Sequence, residues 1–288
     1  MIGRGPSGFR FGVQAATPTS ASLGAQATAT SESRWHRLAR RAEDYGYDVL
    51  SMPDHLDGQL APLVAQSYAA AITDRIHLAT TVLANDLRNP VVLTNEVATL
   101  AELSGHRFEL GLGAGWKLAD YEAAGLEYPP ASVRIARLAE TVAIVRDALP
   151  AVPLMLGGGG PKMLALAAQQ ADIVSVVAAN PAGVAPQLGE SSTLERARER
   201  VAWVREQAGA RFGEIELHAR VYAAADEPQA AGLSADDAAA SPHVLVKPAR
   251  AMADKLLRLR DELGITYFTV SERFTDEFAR VITLLEKV

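Results

Sequence analysis

The stretch RIHLATTVLANDLRNPVVLTNEVATLAELSGHRFELGLG, residues 75–113, decides the fold. RIHLATTVL is short, apolar and rich in β-branched residues, as a buried strand is. PVVLTNEVATLAELSG follows with its apolar residues at helical spacing, Pro90 suiting the first turn and Gly105 the stop. RFELGLG then returns to strand. Strand, helix and strand in that order make a βαβ unit, whose two strands run parallel.

The same beat runs outward in both directions. Upstream, FRFGVQA (9–15) is a strand, SESRWHRLARRAEDYG (31–46) a helix with Ser31 as N-cap and Gly46 as stop, DVLSM (48–52) a strand and PLVAQSYAAAIT (62–73) a helix. Downstream, SVRIARLAETVAIVRDAL (132–149) is a helix, VPLML (152–156) a strand, PKMLALAAQQ (161–170) a helix and ADIVSVVA (171–178) a strand. A helix within 193–208, the strand EIELHARVYA (214–223), a helix at 248–263, the strand ITYFTV (265–270) and a helix at 275–287 complete the series. The strands read as apolar on both faces, as buried parallel strands are. An α/β protein is expected: a (β/α)8 TIM barrel forming a single domain over residues 1–288, which eight alternations suit better than a doubly wound sheet.

Charge and composition narrow the function. The chain carries 28 Lys+Arg against 34 Asp+Glu, a formal charge of -6 with no long run of either sign, which argues against nucleic-acid or anionic-membrane partners. A small-molecule ligand fits better. With no cysteine there is no disulfide, thiolate metal site or thiol nucleophile. His36, His77, His106, His218 and His243 show no metal-ligand spacing, and no metal is expected. MIGRGPSGFRFG lacks the apolar core of a signal peptide and no apolar run spans a bilayer, so the expected location is cytoplasmic.

In a barrel of this kind the chemistry sits at the carboxyl ends of the strands. After the second strand come Asp54 and His55, an acid and an imidazole suited to proton transfer or to holding a heterocycle; a turn cap beside an incidental histidine is the plain alternative. After the third, Thr81, Val82 and Asn85 open a polar cluster that spacing alone reads as a turn into the next helix. After the fourth, Gly111, Gly113 and Gly115 precede Trp116 without GxGxxG spacing, and the alternate glycines clear one face either for a flat ring or for tight packing. After the fifth, Gly157 to Gly160 lead into Pro161 and Lys162, where unpaired helix amides, the positive dipole end and a cation suit a phosphate or carboxylate. The 117–130 loop and YAAADEPQAAGLSADDAAASPH (222–243) read as polar, irregular rims that set specificity, and Asp172 as a helix terminator.

MPDHLDG (52–58), ATTVLANDLRNPVVLTNEVATLAELSGHRFELGLGAGW (79–116), PLMLGGGGPKMLALAAQQADIV (153–174), SPHVLV (241–246) and GITYFTVSE (264–272) together resemble the bacterial luciferase-like superfamily. The resemblance is strongest to its coenzyme F420-dependent oxidoreductase branch. It implies a barrel that binds a deazaflavin, or alternatively FMN, in its mouth and exchanges hydride with a small organic or biosynthetic substrate, reduction of an activated double bond being one such reaction. It implies Asp54 and His55 as the catalytic pair, a cis peptide between Thr81 and Val82 behind the ring, and cofactor contacts from Asn85, Gly113, Trp116, Gly158, Gly159, Gly160, Pro161 and Lys162.

Two departures from that pattern carry expectations of their own. Relatives acting on sugar phosphates have a glutamate acid where Trp116 stands, which implies a different proton donor and substrate. RDALPA runs directly into VPLML where relatives carry additional residues, a shortened connection from the fourth barrel helix to the fifth strand on the face away from catalysis. The alternative functions are an FMN-dependent monooxygenase and a non-catalytic cofactor-binding barrel. An exposed barrel helix face suits a homodimer.

Overall fold

Eight strands pair in parallel and close on themselves: β1 (Arg10–Gln14), β2 (Val49–Met52), β3 (His77–Thr80), β4 (Phe108–Gly113), β5 (Leu154–Gly158), β6 (Ile173–Val176), β7 (Glu216–Val221) and β8 (Ile265–Ser271). Closure comes from β3 on β4 at Leu78–Phe108 and β8 on β1 from Tyr267–Arg10 to Ser271–Gln14. The computed structural model describes residues 8–15, 33–176, 188–226 and 233–287. Around the strands lie α1 (Arg34–Asp44), α2 (Pro62–Ile72), α3 (Pro90–Leu103), α4 (Ala131–Ala148), α5 (Pro161–Gln170), α6 (Leu194–Ala208), α7 (Ala249–Leu263) and α8 (Thr275–Leu285). This is the expected (β/α)8 barrel. Among the described residues no helix is long and apolar enough to cross a membrane.

Each helix covers the barrel through one apolar stripe. In α1 that stripe is Trp35, Leu38, Ala39 and Ala42, and the Trp35 indole also donates to the Ala65 carbonyl of α2 at 2.7 Å. Its N-cap is Ser33, whose hydroxyl accepts the His36 N–H; the expected cap, Ser31, lies outside the described residues. Asn89 caps α3 in the same way ahead of Pro90. Asp172 does more than end a helix: its carboxylate accepts the Leu154 N–H at 2.8 Å and pairs with Arg146 at 2.8 Å, which ties the short 149–153 connection between α4 and β5.

The strands are not apolar on both faces. Their outward residues join the helices in the main core, but inside the barrel only Val49, Ala79, Met155, Ile173 and Tyr267 form an apolar cluster. Beneath it, at the amino-terminal end, Arg10 pairs with Glu109 and with Glu216 at 2.6 Å, and His77 lies 3.0 Å from Glu109. Eight small strand faces converge there, and opposite charges arriving from β1, β3, β4 and β7 neutralise one another. The rims also have structure: a short helix, Leu118–Ala124, lies in the 117–130 loop, and after β7 the strands Ala223–Ala225 and Val244–Val246 pair beside a short helix, Ala235–Ala240.

Candidate active site

The decisive irregularity sits at the end of β3. From Ala79 to Leu83 the chain takes four residue steps while its partner β4 takes three, from Glu109 to Leu112, so β3 carries a bulge before the short strand Leu83–Ala84 resumes pairing. The Thr81–Val82 peptide inside the bulge is cis. Thr80 Oγ1 donates to the Gly111 carbonyl and accepts the Gly111 N–H, each at 2.9 Å. Gln14 Nε2 donates to the Thr81 carbonyl at 3.0 Å, and the Thr81 hydroxyl donates to Ser51 Oγ at 3.1 Å.

Asp54 belongs to this framework. Its carboxylate accepts the Ala84 N–H at 2.9 Å and receives the Arg88 guanidinium on both oxygens, a bidentate pair that fixes the far end of the bulge. With both oxygens committed, Asp54 positions the bulge. The glycines of β4 serve the same end. A Cβ at Gly111 would lie 1.9 Å from the Thr80 carbonyl oxygen, and one at Gly113 would lie 2.6 Å from Val82 Cγ2. The face they clear is filled by the bulge itself, so of the two readings of these glycines tight packing describes Gly111 and Gly113, and Val82 presents a surface to the cavity.

His55 has a partner that sequence reasoning missed. Its Nδ1 lies 2.8 Å from Asp120 Oδ2, Asp120 Oδ1 accepts the Leu56 N–H at 3.0 Å, and the Trp116 ring meets the imidazole edge-on at 5.5 Å between centroids. Asp120 is buried in the first turn of the Leu118–Ala124 helix. The loop that carries Trp116 is held from behind. Arg134 donates to the Ala114 and Gly115 carbonyls at 3.2 and 3.1 Å, and Gly115, at φ +75°, leaves the room that Tyr121 occupies. Asp120 therefore fixes the imidazole through Nδ1, and no hydrogen bond among the described residues engages Nε2.

Across the mouth, β5 runs out through Gly157 and Gly158, and Gly160 caps α5 ahead of Pro161. Gly158 is required by packing, since a Cβ there would meet Met163 Cγ at 2.3 Å. At Gly160 a Cβ would meet nothing within 4 Å, so this position is open for an approaching ligand. No side chain caps the α5 amides, which leaves them available to an anion.

These parts line one cavity of about 480 Å³. It gathers Asp54, His55, Thr81 and Val82 from one side with Gly113, Trp116 and Gly158 to Gly160 from the other. Asn85, Pro161 and Lys162 are not in its lining: Asn85 is buried with its amide on Asp86, while Pro161 and Lys162 are exposed on the first turn of α5. The cavity adds residues that no local motif marked. Ser175 Oγ lies 2.7 Å from His218 Nδ1 and Thr269 Oγ1 lies 2.8 Å from His218 Nε2, a chain across β6, β7 and β8, while Gln14 and Arg220 stand nearer the rim. Burial, with Arg10 and Arg220 adding to it, pulls His218 down to about 3, so this imidazole is neutral. No group of His, Asp and Glu able to hold a metal occurs among the described residues.

Comparison with known proteins places the arrangement. The family model described as luciferase-like monooxygenase matches residues 9–244. An F420-dependent glucose-6-phosphate dehydrogenase of Kribbella flavida is 36% identical over 118 residues, covering 38% of this chain and 35% of that protein. The enzyme of the same name from Nakamurella multipartita is 31% identical over 212 residues, covering 62% of this chain and 60% of that protein. The chain thus spans between 35% and 60% of the length of these curated relatives. Among solved structures, an F420-dependent secondary alcohol dehydrogenase in complex with an F420-acetone adduct superposes with a TM-score of 0.74 at 17% identity, covering 96% of this chain and 99% of that one. A coenzyme F420 dependent tetrahydromethanopterin reductase from Methanopyrus kandleri superposes with a TM-score of 0.69 at 16% identity, covering 97% of each chain. At these identities the structural likeness is one of fold.

Proposed function

Because the chain belongs to the luciferase-like monooxygenase family, we propose that it is a coenzyme F420-dependent oxidoreductase exchanging hydride with a small organic substrate. The observation that carries this reading is the Asp120-held imidazole of His55 in the same cavity as the Val82 bulge and the open glycine turn. The F420-dependent names of the aligned relatives support it.

The residues fit such a cofactor. Gln14 Oε1 is a buried acceptor without a partner, suited to an N–H on the edge of a heterocycle. Val82 and Met155 offer an apolar wall, and the position open at Gly160 brings the amides of the α5 start within reach of a phosphate. A cavity of about 480 Å³ takes a tricyclic ring with its tail leaving through the mouth. When bound, the deazaflavin supplies hydride transfer at its C5.

The chain's own residues supply the rest. Asp54 and Gln14 hold the bulge in place, and Val82 backs the ring. His55 donates from Nδ1 to Asp120, which leaves Nε2 to hold or move the proton that accompanies hydride transfer. Trp116 excludes water from the imidazole edge, and Lys162 adds a cation beside the phosphate end. The substrate reading is reduction of an activated double bond; oxidation of an alcohol, in which the cofactor takes hydride instead of giving it, is the other compatible reaction. Assembly as a homodimer through an exposed helix face is part of the same proposal.

The test is a parallel equilibrium titration of the purified protein with F420 and with FMN, followed by fluorescence. F420 is expected to bind at least tenfold tighter. Selective FMN binding would move the reading to a flavin-dependent monooxygenase, and binding of neither would reject the cofactor site.

A further inference from the structure

The arginines around the cavity are satisfied by the chain itself, with one exception. Arg10 below it pairs with two glutamates, Arg88 pairs with Asp54, and Arg134 donates to three backbone carbonyls. Arg220 lines the cavity and has no ion pair or side-chain hydrogen bond among the described residues. Its Nε is buried without a partner, and its guanidinium stacks at 4.9 Å over the Tyr222 ring. A second cation, Arg273, acts on it from another element and donates to the Tyr222 carbonyl at 2.8 Å. Burial and Arg273 both push the guanidinium toward its neutral form. A half-buried cation without a counter-charge among the described residues is left to solvent, and a ligand that brings the counter-charge while excluding water gains from it.

Topology says which ligand. Arg220 is registered beside Thr269 on β8, one inward position above His218. In a closed eight-strand barrel β7 stands opposite β3, so Arg220 faces the Val82 bulge and the His55 side across the mouth. The glycine turn of β5, the expected phosphate site, lies two strands away. A single guanidinium flanked by an aromatic ring suits a planar monoanion; a phosphate dianion calls for further donors, and beside the neutral His218 at most one hydroxyl proton, on Ser175 or on Thr269, is left to give.

Resting on the cofactor reading above, we infer that Arg220 is the substrate-recognition residue and that the substrate carries a carboxylate. The carboxylate docks on the guanidinium beneath the β7–β8 rim, and the reacting carbon lies between it and the β2–β3 side, where His55 and Val82 stand.

Benzoate and its neutral counterpart benzamide are the probes, measured by isothermal titration at fixed ionic strength, with and without F420. Wild-type protein is expected to prefer benzoate by about tenfold or more, the usual worth of a hydrogen bond to a charged group. Arg220→Met should abolish the preference while leaving F420 affinity within about twofold. Arg220→Lys should restore part of it; should the Met variant not fold, Arg220→Gln replaces it. Equal binding of benzoate and benzamide by the wild type, or a preference that survives in the Met variant, would overturn the proposal. Loss of F420 affinity in Arg220→Met would assign the guanidinium to the cofactor, and tighter binding of inorganic phosphate than of benzoate would overturn the carboxylate. The cofactor-free arm keeps the result readable if F420 itself fails to bind.

Discussion

The two ends of the barrel interior treat charge in opposite ways. At the amino-terminal end Arg10 lies between Glu109 and Glu216, with His77 beside Glu109. At the carboxyl-terminal end Arg220 is a cation without an anion, and Gln14 Oε1 an acceptor without a donor, among the described residues. Burial alone would raise the Glu109 carboxyl, but Arg10 and His77 outweigh it and hold it low. Paired charges close one end of the barrel. Glu109 Oε2 and Tyr267 Oη lack hydrogen-bond partners at the first end too, but its charges are balanced, whereas the charge of Arg220 at the other end is not, and the same strands supply both ends because their inward residues alternate along a common axis.

The largest break in that comparison is predicted for Arg10→Met. It removes the cation that Glu109 and Glu216 share, leaving His77 as the partner of Glu109, and should cost about 3 to 5 kcal/mol in urea unfolding. Removing Arg220 should cost far less, since it gives up its stacking on Tyr222 but leaves no carboxylate behind. A comparable contrast holds for glycines. Gly111→Ala, with its Cβ 1.9 Å from a backbone oxygen, should destabilise by about 3 kcal/mol, whereas Gly160→Ala should stay within about 0.5 kcal/mol. Enlarging the second site to Gly160→Val should instead weaken F420 binding, read by fluorescence titration.

The fold was legible in the sequence because apolar strand-type runs alternate with helical spacing along the chain, with Pro90 opening one helix and Gly46, Gly105 and Gly264 closing others. Asp54, His55, Val82 and the glycine turn were legible because they follow strands. Asp120 was not: it reaches His55 from a short helix within a loop that carries no long periodicity. Ser175, His218, Arg220 and Thr269 come together only when β6, β7 and β8 lie side by side, and single residues in apolar runs read as core. Gly111 and Gly113 were visible as cleared space, but nothing in the local pattern said that the bulge of β3 fills it.

Asp120→Asn sharpens the catalytic side of the account. It keeps the shape of the His55 contact but removes its charge, so turnover by the F420-loaded enzyme should fall about tenfold or more while stability changes little. His55→Ala should lose more, and equal activity in both variants and wild type would remove the pair from proton transfer.

A pH dependence is the last prediction. Burial pulls His218 to about 3 and His243 to about 4, both from 6.5. As the pH falls from 6.5 toward 4 the unfolded chain takes up protons that the native chain refuses. Stability present above that window is therefore lost on acidification, by about 1.4 kcal/mol per pH unit for each histidine at full effect. Urea unfolding at pH 7.5 and 5 measures it, and no difference would place both imidazoles in contact with water.

Hydrogen–deuterium exchange with and without F420 tests the asymmetry between the two ends most directly. The account predicts slowed exchange at residues 81–85, 113–120 and 157–163, with the amino-terminal halves of β1, β4 and β7 unchanged. No protection at the mouth, or protection centred on Arg10, Glu109 and Glu216, would contradict it.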